Sequence, residues 1–320
     1  MYPRVSDLFS DLFGIDFPFP IYSFGLMVAI AIIVGAALTI RELDRLYNAG
    51  KISGVRVDRE GRRGKTTASP SVLVGTLTAM AAILGIVGSK LFHILENLDD
   101  FMLDPAGMIF STGGLTFYGG LLVAGGAIVW YLRRYDLSIP RFADAVAPGL
   151  MLAYGIGRIG CYLAGDGDWG VCSDLSDKPG WVPSWLWSEQ FPRSILDRGN
   201  DFVRDASIIE ECGPAADGVY PTMLYETAMA VVITGILWAV RKHPFQGGWL
   251  MSLYLVFNGL ERFLIEQIRV NNVGVFLGIE VTQAEVIALL ISLVGVVGLV
   301  YTSKRVGTDV PEAASTAGDD

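Results

Sequence analysis

A chain of 320 residues that is 52% hydrophobic and only 18% charged carries less charge than the about 25% usual for a soluble domain. Its mean hydropathy is +0.47, and the few charges cluster between long apolar runs, which is the pattern of a membrane protein. A net charge of −9 excludes the basic face that a nucleic-acid backbone requires.

From the N-terminus, the first 20 residues are broken by Asp7, Asp11, Asp16 and prolines, so no cleavable signal peptide is read there. A bilayer core of about 30 Å requires roughly 20 apolar residues at about 1.5 Å each. Seven segments meet that need: 21–40, 72–93, 113–132, 143–163, 223–240, 247–266 and 284–303. The second and fourth are richest in glycine and alanine and are expected inside the bundle, where small residues let backbones approach. The predicted fold class is an all-α polytopic membrane protein of about seven transmembrane helices, with one transmembrane domain over 1–303. No internal repeat is visible.

Orientation follows from lysine and arginine in the loops. The segment 41–71 holds Arg41, Arg45, Lys51, Arg56, Arg59, Arg62, Arg63 and Lys65, whereas 94–112 holds none. Arg133, Arg134 and Arg141 come next, then Arg241 and Lys242, and finally Lys304 and Arg305. The long loop 164–222 has four basic residues against eleven acidic ones. Basic and non-basic loops alternate, which places the N-terminus outside and the C-terminus inside. Residues 48–70 read as a mobile basic inner loop and 304–320 as a disordered cytoplasmic tail. The loop 164–222 is long enough for an extracytoplasmic head, and its Trp169, Trp181, Trp185 and Trp187 are expected at headgroup level.

With that orientation, the ionisable residues of the spans gather at the outer end. Lys90 and His93 close span two, Arg158 lies late in span four, and Glu261, Arg262 and Glu266 lie late in span six. Tyr225 and Glu226 open span five, and Glu285 opens span seven. The inner parts lack charge apart from Asp144. An ionisable group in mid-bilayer costs about 2.5–3.5 kcal/mol on insertion scales, so repetition on one side suggests a site. Snorkelling towards headgroups is the alternative, but it would decorate both ends alike. Arg262, Glu266 and Arg269 share one helical face at i, i+4 and i+7. Opposite Arg158 they would form a cationic pocket suited to phosphate, hence to a phospholipid.

Three stretches stand out from lipid-facing helix. Gly113, Gly114, Gly119 and Gly120 surround Tyr118 at the start of span three. Gly157-Arg158-Ile159-Gly160-Cys161 closes span four and is followed by Gly165-Asp166-Gly167-Asp168-Trp169-Gly170. Pro221-Thr222-Met223-Leu224-Tyr225-Glu226 opens span five. Glycine-rich helix starts leave backbone N–H groups free for an anion, although double glycines also serve tight packing.

Together these stretches resemble the bacterial phosphatidylglycerol–prolipoprotein diacylglyceryl transferase family, from the Ser23-Phe24-Gly25-Leu26-Met27 start of span one to Thr282-Gln283-Ala284-Glu285 at span seven. The GRIG stretch and the run from Arg262 to Arg269 are its most specific parts. The resemblance implies transfer of diacylglycerol from phosphatidylglycerol to the lipobox cysteine of a preprolipoprotein in the bacterial cytoplasmic (inner) membrane, with glycerol phosphate released. It implies no cofactor and no metal. Arg158, Arg262, Tyr118 and Glu266 are the catalytic candidates. Gly113, Gly114, Gly119, Gly120, Gly157, Gly160, Cys161, Asp166, Gly170, Tyr225, Glu226, Arg269, His93 and Phe24 are the substrate-binding ones. The chain departs from the family pattern at Cys161, where asparagine is common, and at Tyr118 and Tyr220, where histidine is frequent. It also departs at Phe24, which lacks the hydroxyl of tyrosine. The general base stays open between Tyr118 and His93, and Cys161 reads as a small filler rather than a nucleophile. Cys172 and Cys212 share the outer loop and are a candidate disulfide pair. Two other readings are a paralogous enzyme with another acceptor and a transporter, which would place polar residues through the full membrane depth.

Overall fold

The computed structural model of the protein describes residues 2–15, 17–58, 65–111, 116–191, 195, 217–270, 274–276 and 279–304. A helix stands at every predicted segment: Ser23–Asn48, Val74–Glu96, Phe117–Arg134, Ile139–Ala164, Thr222–Val240, Trp249–Glu266 and Gln283–Ser303. Five helical stretches are long and apolar enough to cross a membrane, namely Ser23–Asn48, Pro70–Glu96, Ile139–Ala164, Thr222–Val240 and Gln283–Ser303. The remaining two, Phe117–Arg134 and Trp249–Glu266, have 18 residues each. They carry Arg133 and Arg134, and Glu261, Arg262 and Glu266, respectively. The apolar helices expose Ile83, Ile86 and Val87, and Leu289, Leu293, Val294 and Val297. Such apolar surface suits lipid and not water.

Described residues of 1–35 and 146–306 form one compact unit, and those of 36–145 form a second. In the first, the short helix Val5–Phe13 is tied to the start of Ser23–Asn48 by backbone hydrogen bonds, Val5 to Ile21 (2.8 Å) and Ser23 to Pro3 (2.9 Å). A core of Ala147, Met151, Ala230, Ile233, Leu237 and Leu250 joins three helices. Trp249–Glu266 lies closely along Gln283–Ser303 because Gly259 and Gly295 leave no room for a side chain. A Cβ on Gly259 would come within 2.5 Å of the Ala288 carbonyl. The last helix begins with a reciprocal cap, in which the Glu285 backbone N–H donates to the Thr282 hydroxyl (3.1 Å) and the Thr282 N–H donates to the Glu285 carboxylate (2.9 Å).

The head region adds what an all-α reading leaves out. Cys172–Ser173 pairs antiparallel with Gly218–Val219, and Gly170 bridges to Arg269. These close over a cluster of Cys161, Trp169, Phe191, Val219 and Met223. Trp169 is 5% exposed and packs 5.1 Å from Phe191 inside that cluster. Trp187 is half-buried, its indole N–H donating to the Asp174 carbonyl (2.9 Å), whereas Trp181 and Trp185 are exposed. Cys172 is disulfide-bonded. Cys212, its expected partner, lies outside the described residues, as do Gly113 and Gly114 and the tail from 305.

In the second unit, Val74–Glu96 packs along Phe117–Arg134 through glycines. A Cβ on Gly119 would meet the Gly88 carbonyl oxygen at 2.5 Å, and one on Gly120 the Gly85 carbonyl at 2.7 Å. Residues expected as a plain basic loop contain an antiparallel ribbon, Val55–Asp58 with Lys65–Ala68, registered from Val55↔Ala68 to Asp58↔Lys65. The connection after Val74–Glu96 folds into two short helices, Leu98–Leu103 and Pro105–Phe110. The second starts on proline, with Asp104 accepting from the Gly107 N–H (2.9 Å). Glu42, Arg141 and Asp144 are buried in this unit. Buried charge thus also occurs at Glu42 and Arg141, just outside the predicted spans, beside the expected exception Asp144. Ile139–Ala164 has Arg141 and Asp144 near its start and Arg158 near its finish.

Candidate active site

In the first unit, charged residues from three helices and two loops form a continuous alternating chain. Arg158, late in Ile139–Ala164, donates through Nε to Glu226, which sits in the first turns of Thr222–Val240. The Arg158 Nη1 donates to Asp168 (2.5 Å) and lies 3.5 Å from the Cys161 sulfur. Asp168 accepts from Arg269 through its other oxygen. The second oxygen of Glu226 is 3.7 Å from Arg262, which pairs with Glu266 at 2.8 Å. The order is Arg269, Asp168, Arg158, Glu226, Arg262, Glu266. The three arginines balance the three carboxylates, so the chain is electroneutral.

Local structure explains the arrangement. Arg262 and Glu266 are four residues apart on one helix and face each other there. Arg269 lies beyond the helix end at Glu266, and its bridge to Gly170 turns it towards the loop. The approach is close: a Cβ on Gly170 would stand 2.6 Å from the Ile268 carbonyl oxygen. The loop bends through positive φ at Gly165 (60°) and Gly167 (96°), where a side chain would be strained. Its end is fixed by the Thr222 hydroxyl, which donates to the Asp168 carbonyl (2.7 Å). Burial acts to raise the Asp168 carboxyl, but the Arg158 and Arg269 guanidinium groups outweigh it and hold the group below the usual carboxylate range.

Two carboxylates grip two edges of Arg158 and leave the third. Its Nη2 is buried and has no hydrogen-bond partner among the described residues. A buried, uncommitted guanidinium N–H next to a second arginine is a donor site for an anionic oxygen. The Tyr154 hydroxyl donates to Glu261 (3.2 Å), a further buried carboxylate.

The structure thus brings together Arg158, Glu226, Arg262, Glu266 and Arg269, with Cys161 against Arg158. Gly160 lies against Phe24 and Met27, whose Cδ2 and Cβ would be 3.3 and 3.0 Å from an added Cβ. Nothing lies within 4 Å of the Cβ position of Gly157. Asp166 also stands at the cluster, its carboxylate within 4.8 Å of the Cys161 sulfur and an Asp168 oxygen. Asp166 accepts from the Asp168 backbone N–H (3.3 Å), shaping the loop while Asp168 takes the arginines. Burial, with the nearby Asp168 charge, raises the Asp166 carboxyl. The Tyr225 hydroxyl donates to the Leu186 carbonyl (2.5 Å) and so ties a helix to the head. Gly119 and Gly120 serve helix packing in the second unit. In that unit Tyr118 is 39% exposed with its ring edge-on to Phe117. His93 there is capped by Asn97, whose amide donates to the His93 carbonyl (2.9 Å). The two residues that sequence reasoning missed are Asp168 and Tyr154. The only signal for Asp168 was its place in the Gly165–Gly170 turn, two residues from the acid that was chosen.

Donor atoms of Cys161, Asp166 and Asp168 lie within 4.8 Å of one another, a spacing that a metal could use. Both Asp168 oxygens are already engaged by guanidinium groups, and Arg158 also touches the sulfur. A cation there would face two positive charges, so this donor set does not suit one.

A relative from Frankia alni, a phosphatidylglycerol–prolipoprotein diacylglyceryl transferase, is 28% identical over 300 residues, covering 92% of this chain and 66% of its own length. The protein of the same name from Corynebacterium diphtheriae is 27% identical over 293 residues, covering 90% of each chain. That from Mycobacteroides abscessus is 29% identical over 274 residues, covering 83% of this chain and 70% of its own. The profile of the prolipoprotein diacylglyceryl transferase family matches residues 10–301, and on that match the chain belongs to this family.

Proposed function

We propose that the protein transfers the diacylglyceryl group of phosphatidylglycerol to the lipobox cysteine of preprolipoproteins, the first step of lipoprotein maturation. The observation that carries this reading is the convergence of Arg158 and Arg262 on one buried carboxylate, with the Arg158 Nη2 left uncommitted. In the reaction the cysteine S–H gives up its proton, which ends on the glycerol phosphate product or in water, and the sulfur attacks the primary glyceryl carbon. A C–S bond forms and the C–O bond to phosphate breaks. The electron pair goes to the phosphate oxygen, which leaves as glycerol phosphate. The step needs no electron acceptor, but it needs the departing anion stabilised, and removal of one such donor typically costs about 10²–10³ in rate. Arg158 and Arg262 supply the donors, and Glu226 and Glu266 hold them in place.

The loop charges support seven spans with the N-terminus outside and the C-terminus inside, working as one transferase domain over 1–303 in the bacterial cytoplasmic membrane. Two of those spans are the charged helices Phe117–Arg134 and Trp249–Glu266. On this orientation the arginine chain opens towards the outer leaflet, where both phosphatidylglycerol and an exported preprolipoprotein are accessible. The family resemblance extends candidate roles to Tyr118 and His93.

The test is direct. Purified protein in micelles containing phosphatidylglycerol, given a lipobox peptide, is expected to yield a thioether-linked diacylglyceryl peptide and glycerol phosphate. Arg158→Ala and Arg262→Ala are expected to abolish both products while the protein still inserts. Wild-type turnover in either variant would remove the phosphate-clamp assignment, and a folded wild type that makes neither product would remove the function.

A further inference from the structure

The electroneutrality of the arginine chain poses a problem for any anionic ligand. Three positive charges already meet three negative ones. A phosphodiester entering unchanged would bring surplus negative charge into a largely buried cluster, which is strongly unfavourable. One carboxylate must give way, and the three differ in their freedom to do so. The Glu226 side chain is 0% exposed and that of Glu266 is 1% exposed, both on helices, whereas the Asp168 side chain is 33% exposed and extends from a glycine-bent loop. The Asp168 backbone is anchored through Thr222, so its carboxylate can swing out by side-chain rotation alone.

What Asp168 occupies is also informative. Its two oxygens take one guanidinium each, from Arg158 and from Arg269, residues that lie far apart in sequence. Two oxygens on a single acidic centre bridging two arginines is the contact pattern of a bound phosphate. The uncommitted Arg158 Nη2 lies on the same guanidinium.

We propose that Asp168 is a positioning residue that holds the phosphate subsite in the ligand-free protein. It keeps Arg158 and Arg269 aligned, yields them to the phosphate of the substrate, and returns to help expel the phosphate of the product. The identity of that phosphate as a phosphatidylglycerol headgroup rests on the transferase reading above; the exchange itself needs only an anionic phosphate ester. Return of Asp168 matters because the leaving monoester carries more negative charge than the diester substrate and would otherwise bind the arginines more tightly.

The experiment compares full-length wild type with Asp168→Asn and Asp168→Ala in phosphatidylglycerol micelles. Removing the competing carboxylate is expected to lower the KM for phosphatidylglycerol and to tighten inhibition by glycerol phosphate about tenfold or more, the scale of one charge-assisted hydrogen bond. Because product leaves more slowly, kcat is expected to fall while KM falls, a split that a merely structural residue does not produce. Glycerol phosphate and inorganic phosphate are also titrated against the melting temperature. Both are expected to stabilise the variants more than the wild type, with a larger shift for the glycerol ester if the headgroup is recognised. A raised KM, unchanged inhibition with equal melting shifts, or failure of both variants to fold would overturn the proposal. If wild type shows no transfer, the transferase reading fails, and the melting shifts alone then decide whether Asp168 competes with phosphate.

Discussion

Glu226 offers the sharpest test of how the arginines are held. It is fully buried and touches two guanidinium groups, at Nε of Arg158 and 3.7 Å from Arg262. In Glu226→Ala, Arg158 keeps only Asp168, and Arg262 keeps only Glu266. The change leaves a positive charge uncompensated in a site with little water. Breaking a buried pair by removing one partner costs about 3–5 kcal/mol. Arg262 is 29% exposed, which lets solvent recover part of its share and places the expected loss towards the lower end of that range. Glu226→Gln keeps the shape and an amide oxygen for the Arg158 N–H, so it should lose less, about 1.5–3 kcal/mol for weakening a hydrogen bond to a charged group. Melting of both variants in the same micelles, beside initial transfer rates, checks the order. Transfer should fall further in Glu226→Ala than in Glu226→Gln, because only the alanine frees the guanidinium to rotate. If Glu226→Ala melted and turned over like wild type, the carboxylate would not be positioning either arginine and the reasoning would fail.

Two further outcomes follow from particular contacts. Gly119→Ala must push the Gly88 carbonyl or Phe92 aside, an overpacking of about 1–3 kcal/mol, whereas Gly125 on the same helix has nothing within 4 Å of its Cβ position. Gly125→Ala should then be neutral or gain about 0.5–1 kcal/mol from reduced backbone freedom, and equal melting of the two variants would contradict the packing. The second outcome concerns acid. The folded Asp168 carboxyl lies below its unfolded value of about 3.9, so its stabilising contribution is complete above that pH and is lost as pH falls through the folded value. The melting difference between wild type and Asp168→Asn should therefore hold steady from about pH 7 to pH 5 and shrink only below about pH 4. A difference that closed between pH 7 and pH 5 would mean that the arginines do not hold Asp168 ionised.

Helix positions were legible because a membrane span announces itself by its length of apolar sequence, and helices occur at all the expected places. The Arg262–Glu266 pair was legible for a similar reason, since i, i+4 spacing is a property of one helix and needs no tertiary knowledge. Arg158 could be matched to Arg262 because the loop charges put both at the outer ends of their spans. Asp168 was not legible. Its partner Arg269 is 101 residues away, and the choice between Asp166 and Asp168 depends on how a glycine-rich turn bends, which no periodicity encodes. Gly119 and Gly120 show the converse limit, because a double glycine at a helix start reads equally as an anion cradle or as a close helix contact. The structure shows the contact. Asp144 was the one inner charge expected, whereas Glu42 and Arg141 escaped notice because they lie just beyond the apolar windows, in segments counted as loops, yet are buried.

The alternating order of the arginine chain also governs what mutagenesis can say about it. Every ion from Asp168 to Arg262 lies between two of opposite sign, so deleting one leaves neighbours with unbalanced charge in a place where charge is expensive to bury. Loss of transfer in Arg158→Ala therefore reports both a missing phosphate donor and a released Glu226, and the two cannot be separated by that variant alone. Changes at the carboxylates separate them. A carboxylate that only aligns arginines should weaken transfer and stability together when neutralised, as expected at Glu226. A carboxylate that competes with substrate should instead tighten phosphate binding when neutralised, as expected at Asp168. Opposite signs at two acids that grip the same guanidinium are difficult to obtain from general destabilisation, since that would move both in one direction. The pair of acids, more than either arginine, distinguishes a phosphate exchange site from a structural ion network.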